Sequence, residues 1–364
     1  MPATDPSDDA APGGGASFLR KWTQRIVVAT AVAYPVAVAA IWLCFRYIGE
    51  SWWATGVGLY LPRIGFALPL PLLVVLLLLL RLRRLLWTQL VAVGLVVFPL
   101  MGLVISFPGS LRQGEPALRI LSFNVDSGYF GNDKIDAAIQ AWSPDVVLLQ
   151  EVQLEATKLA DTLRSRYESV EPSGQFIIAS RFPILAVFDP DRLPHYGRLR
   201  SPRFMHYLID SPLGHIALYH VHPVSPRSVF YELRGKGGLK REILSGHILS
   251  GDAAVDVEEN NALRSLQIQT ASELAANEPY PVIIAGDTNL PGLSRVFARH
   301  LSEYQDGFAK AGWGFGYTFQ SYRPWMRLDR ILAGPELRFV NFKVGCPGAS
   351  DHLCVVADLQ RAPP

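Results

Sequence analysis

In "PVIIAGDTNLPG", residues 281–292, a run of apolar β-formers stops on Asp287, Asn289 follows two residues later, and Pro-Gly breaks the chain. The same event recurs elsewhere. "RILSFN" ends in Asn124 with Asp126 just beyond, "VVLLQ" is followed by Glu151, "LYHVHP" carries His222, and "GASDHLCVV" places Asp351 and His352 ahead of a strand. A charge at the end of a buried strand is costly if it stands alone, so such groups converge where they share a cation, a proton or a ligand. Carboxylate and carboxamide oxygens without cysteine suit Mg2+, Mn2+ or Ca2+ better than zinc. Each position also has a plainer reading. Asp and Asn after a strand are ordinary turn residues, Glu151 could open a following helix as a favourable first-turn charge, and Asp329 of "RLDRIL" could pair with Arg327 or Arg330. His220 rivals His222, because strand alternation puts both on one face; His222 is preferred since it precedes the "PVSP" break. Arg264, in "NNALRSLQIQ", reads as a structural ion-pair residue.

The elements that carry these tips are short apolar runs. Strands are expected at 117–125, 145–152, 175–180, 204–210, 215–222, 281–287, 327–334 and 353–359, with helical patterns at Lys134–Trp142, Glu155–Arg166 and Asn261–Ala276. Continuous apolar strands imply sheets covered on both faces, and the 3.6-period segments supply the cover. The expected build is therefore a layered α/β sandwich, without internal repeats, over residues 116–364. Val224–Glu259, with "RGKGGLKR" near its middle, reads as an irregular insertion.

Ahead of this lies a different composition. Of the 364 residues 49% are hydrophobic and 18% charged, and much of the apolar excess sits in three runs, at about 26–47, 56–80 and 85–107, within a region 23–110. A helix needs about 20 apolar residues to cross a bilayer. The first and third runs meet that; the second, "IGFALPLPLLVVLLLLL" with Pro69 and Pro71, needs extension back past Arg63. Arg20, Lys21 and Arg25 precede the first run and Arg81, Arg83 and Arg84 separate the second from the third, so three spans place the N-terminus inside and everything after Phe107 outside. Two spans would reverse that. The expected location is an integral membrane protein of the bacterial inner or plasma membrane type, with the catalytic part extracytoplasmic. The spans carry no acidic residue at membrane depth, so no ion path is visible in them. Residues 1–22, rich in Pro, Gly, Ala and Asp towards their start, read as a disordered tail. Cys346 and Cys354 flank one short loop and either form a disulfide or pack as free thiols. From Gln113 onward there are 25 Lys+Arg against 28 Asp+Glu, a balance of −3, which does not supply the basic face expected of a duplex-binding nuclease.

"LSFNVDS", "PDVVLLQEV", "FIIASRFPI", "VHPVSP", "VIIAGDTN", "RLDRIL" and "ASDHLCVVADL" occur in this order, and the ordered set resembles the endonuclease/exonuclease/phosphatase superfamily across about residues 117–359. The resemblance implies the deoxyribonuclease-I-like four-layer α-β-β-α sandwich and metal-dependent hydrolysis of phosphate esters. It implies Mg2+ (or Mn2+) held by Glu151, with Asp126 or Asn124 and Asp351. Asp287 would orient and deprotonate the attacking water, and Asn289 would hold that water or a phosphate oxygen. His222 and His352 would donate to the non-bridging oxygens, with Asp329 orienting His352. Thr288 stands where the family often has an aromatic residue, a departure read as neutral for chemistry. The basic clusters "RLRSPR" and "RGKGGLKR" offer Arg200, Arg203 and Lys240 as grips on an anionic substrate, although solvated loops explain them equally well. The expected substrate is a phosphate ester, either a lipid headgroup brought near by the anchor or extracytoplasmic nucleic acid. No obligate protein partner is implied. A fold that has lost catalysis and serves as a binding module is the alternative outside enzymology.

Overall fold

The computed structural model describes residues 14–107, 115, 117–153, 155–227 and 252–363. The chain divides into two compact units: Met1–Trp42 with Arg63–Leu100, and Leu43–Pro62 with Met101–Pro364.

The first unit is helical. Its helices Gly14–Leu43, Pro69–Leu79 and Leu86–Leu95 bury only a thin core around Val27, Ala31 and Leu77. Val36, Leu68, Leu72, Leu79 and Leu90 face outward. An apolar exterior of this kind suits hydrocarbon better than water. Two helical stretches, Phe18–Ser51 and Arg83–Leu100, are long and apolar enough to cross a membrane, and Arg63–Leu79 between them is apolar but shorter. Arg63 is buried, with its Nη1 donating to the Leu100 carbonyl at 2.7 Å.

Three sequence expectations change here. The helix begins at Gly14, so the end of the stretch read as a disordered tail is helical, because a strong apolar run lets a helix propagate back through Ala-Ser-Phe-Leu once nucleated; residues 1–13 of that stretch lie outside the described residues. The second apolar segment does not start near Gly56: Trp53–Gly58 is a helix of the second unit, with Thr55, Gly56, Leu59 and Tyr60 buried there. The third ends at Leu100 rather than Phe107, since Val104–Ile105 pair as a strand with Trp313–Gly314.

The second unit is built from β1 (Val104–Ile105), β2 (Leu118–Asn124), β3 (Val146–Gln150), β4 (Ser169–Ser173), β5 (Phe176–Ser180), β6 (Ile184–Phe188), β7 (Leu193–His195), β8 (Arg198–Arg200), β9 (Phe204–Ser211), β10 (Gly214–Val221), β11 (Val282–Asp287), β12 (Gln305–Asp306), β13 (Trp313–Gly314), β14 (Asp329–Ala333), β15 (Leu337–Gly345) and β16 (Cys354–Arg361). One six-stranded sheet runs β15-β16-β2-β3-β5-β4 and the other β12-β14-β11-β10-β9-β6. Each has one parallel pair near its middle, β2 with β3 and β10 with β11.

Alternation decides the layers. Leu118, Ile120 and Leu148 of one sheet meet Tyr207, Ile216, Leu218, Ile283 and Ile331 of the other in a core between the sheets. Their neighbours Leu121, Phe123, Val147 and Leu149 face the opposite way, onto Ile135 and Ile139 of helix Asn132–Trp142 and Leu159 and Leu163 of helix Ala156–Arg164. Ala217, Tyr219, Ile284 and Leu332 likewise pack on Ile268, Ala271 and Ala275 of helix Asp252–Ala276. A period of two on both sheets, with helices on both outer faces, gives the α-β-β-α sandwich.

Cys346 and Cys354 form a disulfide, with Cα atoms 5.4 Å apart. Arg327 and Arg330 do not pair with Asp329; both bond Asp306, at 2.8 and 3.0 Å. Arg330 is buried, and burial followed by repulsion from Arg327 pulls its guanidinium down to about 9. Asp306→Asn is therefore expected to destabilise the fold by about 3 kcal/mol, the usual cost of stranding a buried charge. The Asp306 carboxyl is held below its ordinary value, because the two arginines outweigh the cost of its burial. Its contribution is thus present at neutral pH and lost as pH falls below the usual carboxylate range. Urea unfolding of wild type and variant at pH 7 checks the difference.

Candidate active site

Strand register brings the tips together. Asn124 lies opposite Gln150 in the parallel pair β2/β3, so Glu151 follows at the same end. In β10/β11, Val221 lies opposite Gly286, which sets His222 beside Asp287. In the antiparallel pair β11/β14, Asp287 lies opposite Asp329. β16 runs antiparallel to β2 with Val355 opposite Ser122, so His352 arrives at the same rim from the other direction. Gly286 permits the closest approach: at φ +149 a Cβ there would lie 1.8 Å from the Val221 carbonyl oxygen. Asp126, Glu151 and Asn289 adopt left-handed backbone, with φ 45, 56 and 49. Each costs about 1 kcal/mol or more, and each turns the chain sharply as it leaves or nears a strand end.

The side chains meet at the floor of a cavity of about 500 Å3 lined by Asp126, Glu151, Arg227, Asp287, Asn289 and His352, with Tyr60, Phe319 and Trp325 as aromatic walls. Asn124 Nδ2 donates to Glu151 Oε1 and to Asp287 Oδ2, both at 3.1 Å. Its Oδ1 accepts from the Asp126 backbone N–H. Asn124 therefore bridges the two carboxylates through its amide. His222 Nε2 lies 3.3 Å from Glu151 Oε1 and 3.7 Å from Asp287 Oδ2. Its Nδ1 is 2.7 Å from Gln175 Oε1. His352 Nδ1 is 2.8 Å from Asp329 Oδ2 and its Nε2 is 3.7 Å from Asp287 Oδ2. Asn289 donates its backbone N–H to Asp287 Oδ1 at 2.9 Å and its Nδ2 to the Pro223 carbonyl at 3.0 Å.

Electrostatics assigns different charges to these neighbours. Burial works against an ionised Glu151, but the His222 imidazole, the Asn124 amide and His352 outweigh it and hold the carboxyl at about 2. Burial also opposes charge on His352, yet Asp329 and Asp287 raise it to about 10, so it stands protonated. Asp287 is pushed up, first by burial and then by Asp329, against the pull of His352 and His222. A carboxylate raised in this way is a better base than a solvated one. His220 is the opposite case: it is fully buried, its Nε2 faces Gln150 Nε2 at 2.6 Å, and burial holds it well below its ordinary value. It belongs to the core.

Asp126 and Asp351 share one cation, Arg227, whose Nη2 is 2.5 Å from Asp351 Oδ2 and whose Nη1 is 3.9 Å from Asp126 Oδ1. Burial, and then the like charges of Asp351 and Glu151, raise the Asp126 carboxyl. Three carboxylates that repel one another across a cavity, Asp126, Glu151 and Asp351, fit a hard divalent cation. Asp287, Asp329 and His352 also bring one ligand atom each within 4.8 Å of one another. The Asp329 carboxylate on Nδ1 fixes the His352 ring with its Nε2 towards Asp287.

Family membership follows from sequence matching over the same residues. The Endonuclease/Exonuclease/phosphatase family model matches residues 121–352. The chain belongs to this family. Family members use a divalent metal to act on phosphate ester bonds, and this chain is a hydrolase of phosphate esters. No curated protein matches it. Among solved structures it is similar to SmcL, at 17% identity and TM-score 0.50 over 67% of this chain and 99% of that one. It is also similar to an endonuclease/exonuclease/phosphatase from Beutenbergia cavernae, at 19% and 0.47 over 68% and 72%. Truncated TDP2 of Caenorhabditis elegans matches at 18% and 0.47 over 67% and 97%. The likeness to SmcL shows the fold.

The endonuclease/exonuclease/phosphatase site differs from the sequence expectation at the proposed substrate grips. Arg203 lies behind the site: its Nη2 donates to Gln175 Oε1 at 3.4 Å and its carbonyl accepts from the His222 N–H at 2.9 Å. It steadies His222 and does not line the cavity, because burial within "RLRSPR" faces it inward. Arg200, at the end of β8, is likewise absent from the cavity wall. Lys240 falls outside the described residues. Among the described residues, the arginine that lines the cavity is Arg227, directly after "VHPVSP". Arg264 is fully buried and bonds the Val224 carbonyl at 2.9 Å and Asn261 Oδ1 at 3.0 Å, so it is a structural residue that holds the loop after His222 rather than half of an ion pair. Thr288 turns its hydroxyl to the Leu328 carbonyl at 2.7 Å, away from the chemistry.

Proposed function

We propose that this protein is a membrane-anchored phosphodiesterase in which a Mg2+ or Mn2+ ion is held by Glu151, Asp126 and Asp351. The observation that carries the reading is the convergence of Glu151, His222, Asp287 and His352 within 3.7 Å contacts although they come from four separate stretches of sequence. The cation would polarise the phosphoryl group and stabilise the leaving oxygen. Asp287, raised by burial, takes the proton of an attacking water. Asn289, clamped by Asp287 and Pro223, sets where that water or a phosphate oxygen sits. Protonated His352, oriented by Asp329, donates to a non-bridging oxygen as charge builds, and His222, fixed through Nδ1 by Gln175, does the same from the other side. Arg227 then faces an anionic substrate once a metal takes over the two carboxylates it now bridges.

A lipid headgroup phosphodiester is the substrate class best supported. Two helical stretches are long and apolar enough to cross a bilayer, the region from Gln113 has no basic excess, and a disulfide suits an oxidising, extracytoplasmic setting. Three spans, with Arg63–Leu79 as the short middle one, would place the domain there. The aromatic walls favour a second reading, single-stranded nucleic acid with bases stacked on Tyr60, Phe319 or Trp325. Full-length protein in mixed micelles, given a panel of phospholipids, sphingolipid, single-stranded DNA and RNA, decides: the lipid reading expects turnover of a lipid at least about tenfold above either nucleic acid, and the reverse order sinks it.

A further inference from the structure

The segment Leu43–Pro62 joins two apolar helical runs, yet it is compact with the sandwich and reaches the cavity. Glu50 anchors it. Its buried carboxylate accepts from Ser294 Oγ and from the Arg295 backbone N–H at 2.8 Å, Arg295 Nη1 donates to Ser51 Oγ at 2.7 Å, and Asn261 Nδ2 donates to the Glu50 carbonyl at 3.3 Å. Gly56 leaves room for the close approach: a Cβ there would lie 2.8 Å from Asn261 Nδ2. From this base the chain delivers Tyr60 to the site. The Tyr60 hydroxyl donates to the Asn289 carbonyl at 2.7 Å, Trp325 Nε1 donates to the Tyr60 carbonyl at 3.2 Å, and the Arg264 guanidinium lies 5.8 Å from the Tyr60 ring centroid. Asn289 holds a left-handed conformation at φ 49, fixed by the bonds its backbone N–H and Nδ2 donate to Asp287 and Pro223 and by the one its carbonyl accepts from Tyr60.

We propose that Tyr60 is a positioning residue of the active site, and that the segment between the two apolar runs is a working part of the catalytic unit rather than a tether. Resting on the proposed function, this assigns Tyr60 the task of holding Asn289, and through it the Asp287 carboxylate, in the geometry that water attack requires. Loss of one hydrogen bond that fixes a reacting geometry is felt in kcat more than in KM, since it leaves ground-state binding alone.

The test uses the full-length chain in detergent with bis-p-nitrophenyl phosphate and Mg2+. Tyr60→Phe keeps the ring and its packing and removes only the hydroxyl. The expected result is a fall in kcat of about tenfold with KM within about twofold of wild type. In an Asp287→Asn background the same change is expected to cost less than about twofold, because the base that Tyr60 positions through the backbone of residue 289 is gone. A purely structural role would lower activity equally in both backgrounds and would overturn the inference, as would an unchanged kcat in the single variant. Wild type that fails to cleave any phosphodiester removes the proposed function and this inference with it, an outcome separable from an active wild type with an indifferent Tyr60→Phe.

Discussion

Asp287→Asn is expected to lower kcat on a phosphodiester by at least about 10³-fold while the protein stays folded. General-base catalysis by a positioned side chain is worth about 10²- to 10⁴-fold, and here the carboxylate also faces both imidazoles, at 3.7 Å from His222 Nε2 and from His352 Nε2. Asn keeps the shape and can still take the Asn289 N–H on its oxygen, so binding should change little and KM with it. Stability should move the other way. The Asp287 carboxyl is harder to ionise in the fold than in the unfolded chain, first because it is buried. A carboxyl raised in this sense opposes folding above its unfolded value, and the opposition vanishes when the proton cannot leave. The Asp287→Asn protein should therefore melt at the same temperature as wild type or higher at pH 7, whereas a residue needed only for structure would show a lower Tm together with its lost activity.

Removal of the divalent ion, or Glu151→Gln, should have the next largest effect. Charge stabilisation by a bound metal is worth several kcal/mol, and at 1.36 kcal/mol per tenfold this is on the order of 10²- to 10³-fold in rate. Chelation should bring wild type down by that factor, and added Mg2+ should restore it. Glu151 is the ligand whose loss matters most because its carboxyl, held at about 2 by His222, Asn124 and His352 against the cost of burial, stays ionised at any working pH. Asp126 is raised by burial and by the neighbouring acids, so Asp126→Asn should weaken metal affinity without abolishing it, a difference that titration calorimetry with Mn2+ resolves. If Glu151→Gln keeps full metal affinity, another group holds the ion.

The sequence made the strand tips legible because each stands at a change of pattern: an apolar run ends and a carboxylate, carboxamide or imidazole follows. His222, Asp287 and His352 were readable for that reason, Asp329 only through the family resemblance, and strand register brings the four to one rim. Among the strands that went unread, β4, β6 and β15 have mixed polar and apolar faces or partial exposure, so they lack the continuous apolar run that marks a buried strand, and β1, β7, β8, β12 and β13 are only two or three residues long. Tyr60 was unreadable for a different reason. In "GVGLYLPRIGF" it sits at the margin of an apolar run, and composition alone assigns such a residue to a helix in lipid; only tertiary packing, through Glu50 on Ser294 and Arg295, turns it towards Asn289. Arg203 failed in the opposite sense. A cluster of arginines looks like an anion grip, but local charge does not reveal which way a side chain faces, and here it bonds Gln175 behind His222. Gln175 itself gave no signal, since a glutamine at a strand start is ordinary until the partner that it orients is known.

The central claim is that acidic groups from distant parts of the chain surround one cation. Its most direct test is anomalous scattering from crystals of the full-length protein soaked in Mn2+. The account predicts a peak bonded to a Glu151 carboxylate oxygen at about 2.1–2.3 Å, with the Arg227 guanidinium displaced from Asp126 and Asp351. A peak bonded to His352 and Asp329, or none within reach of Glu151, would contradict it.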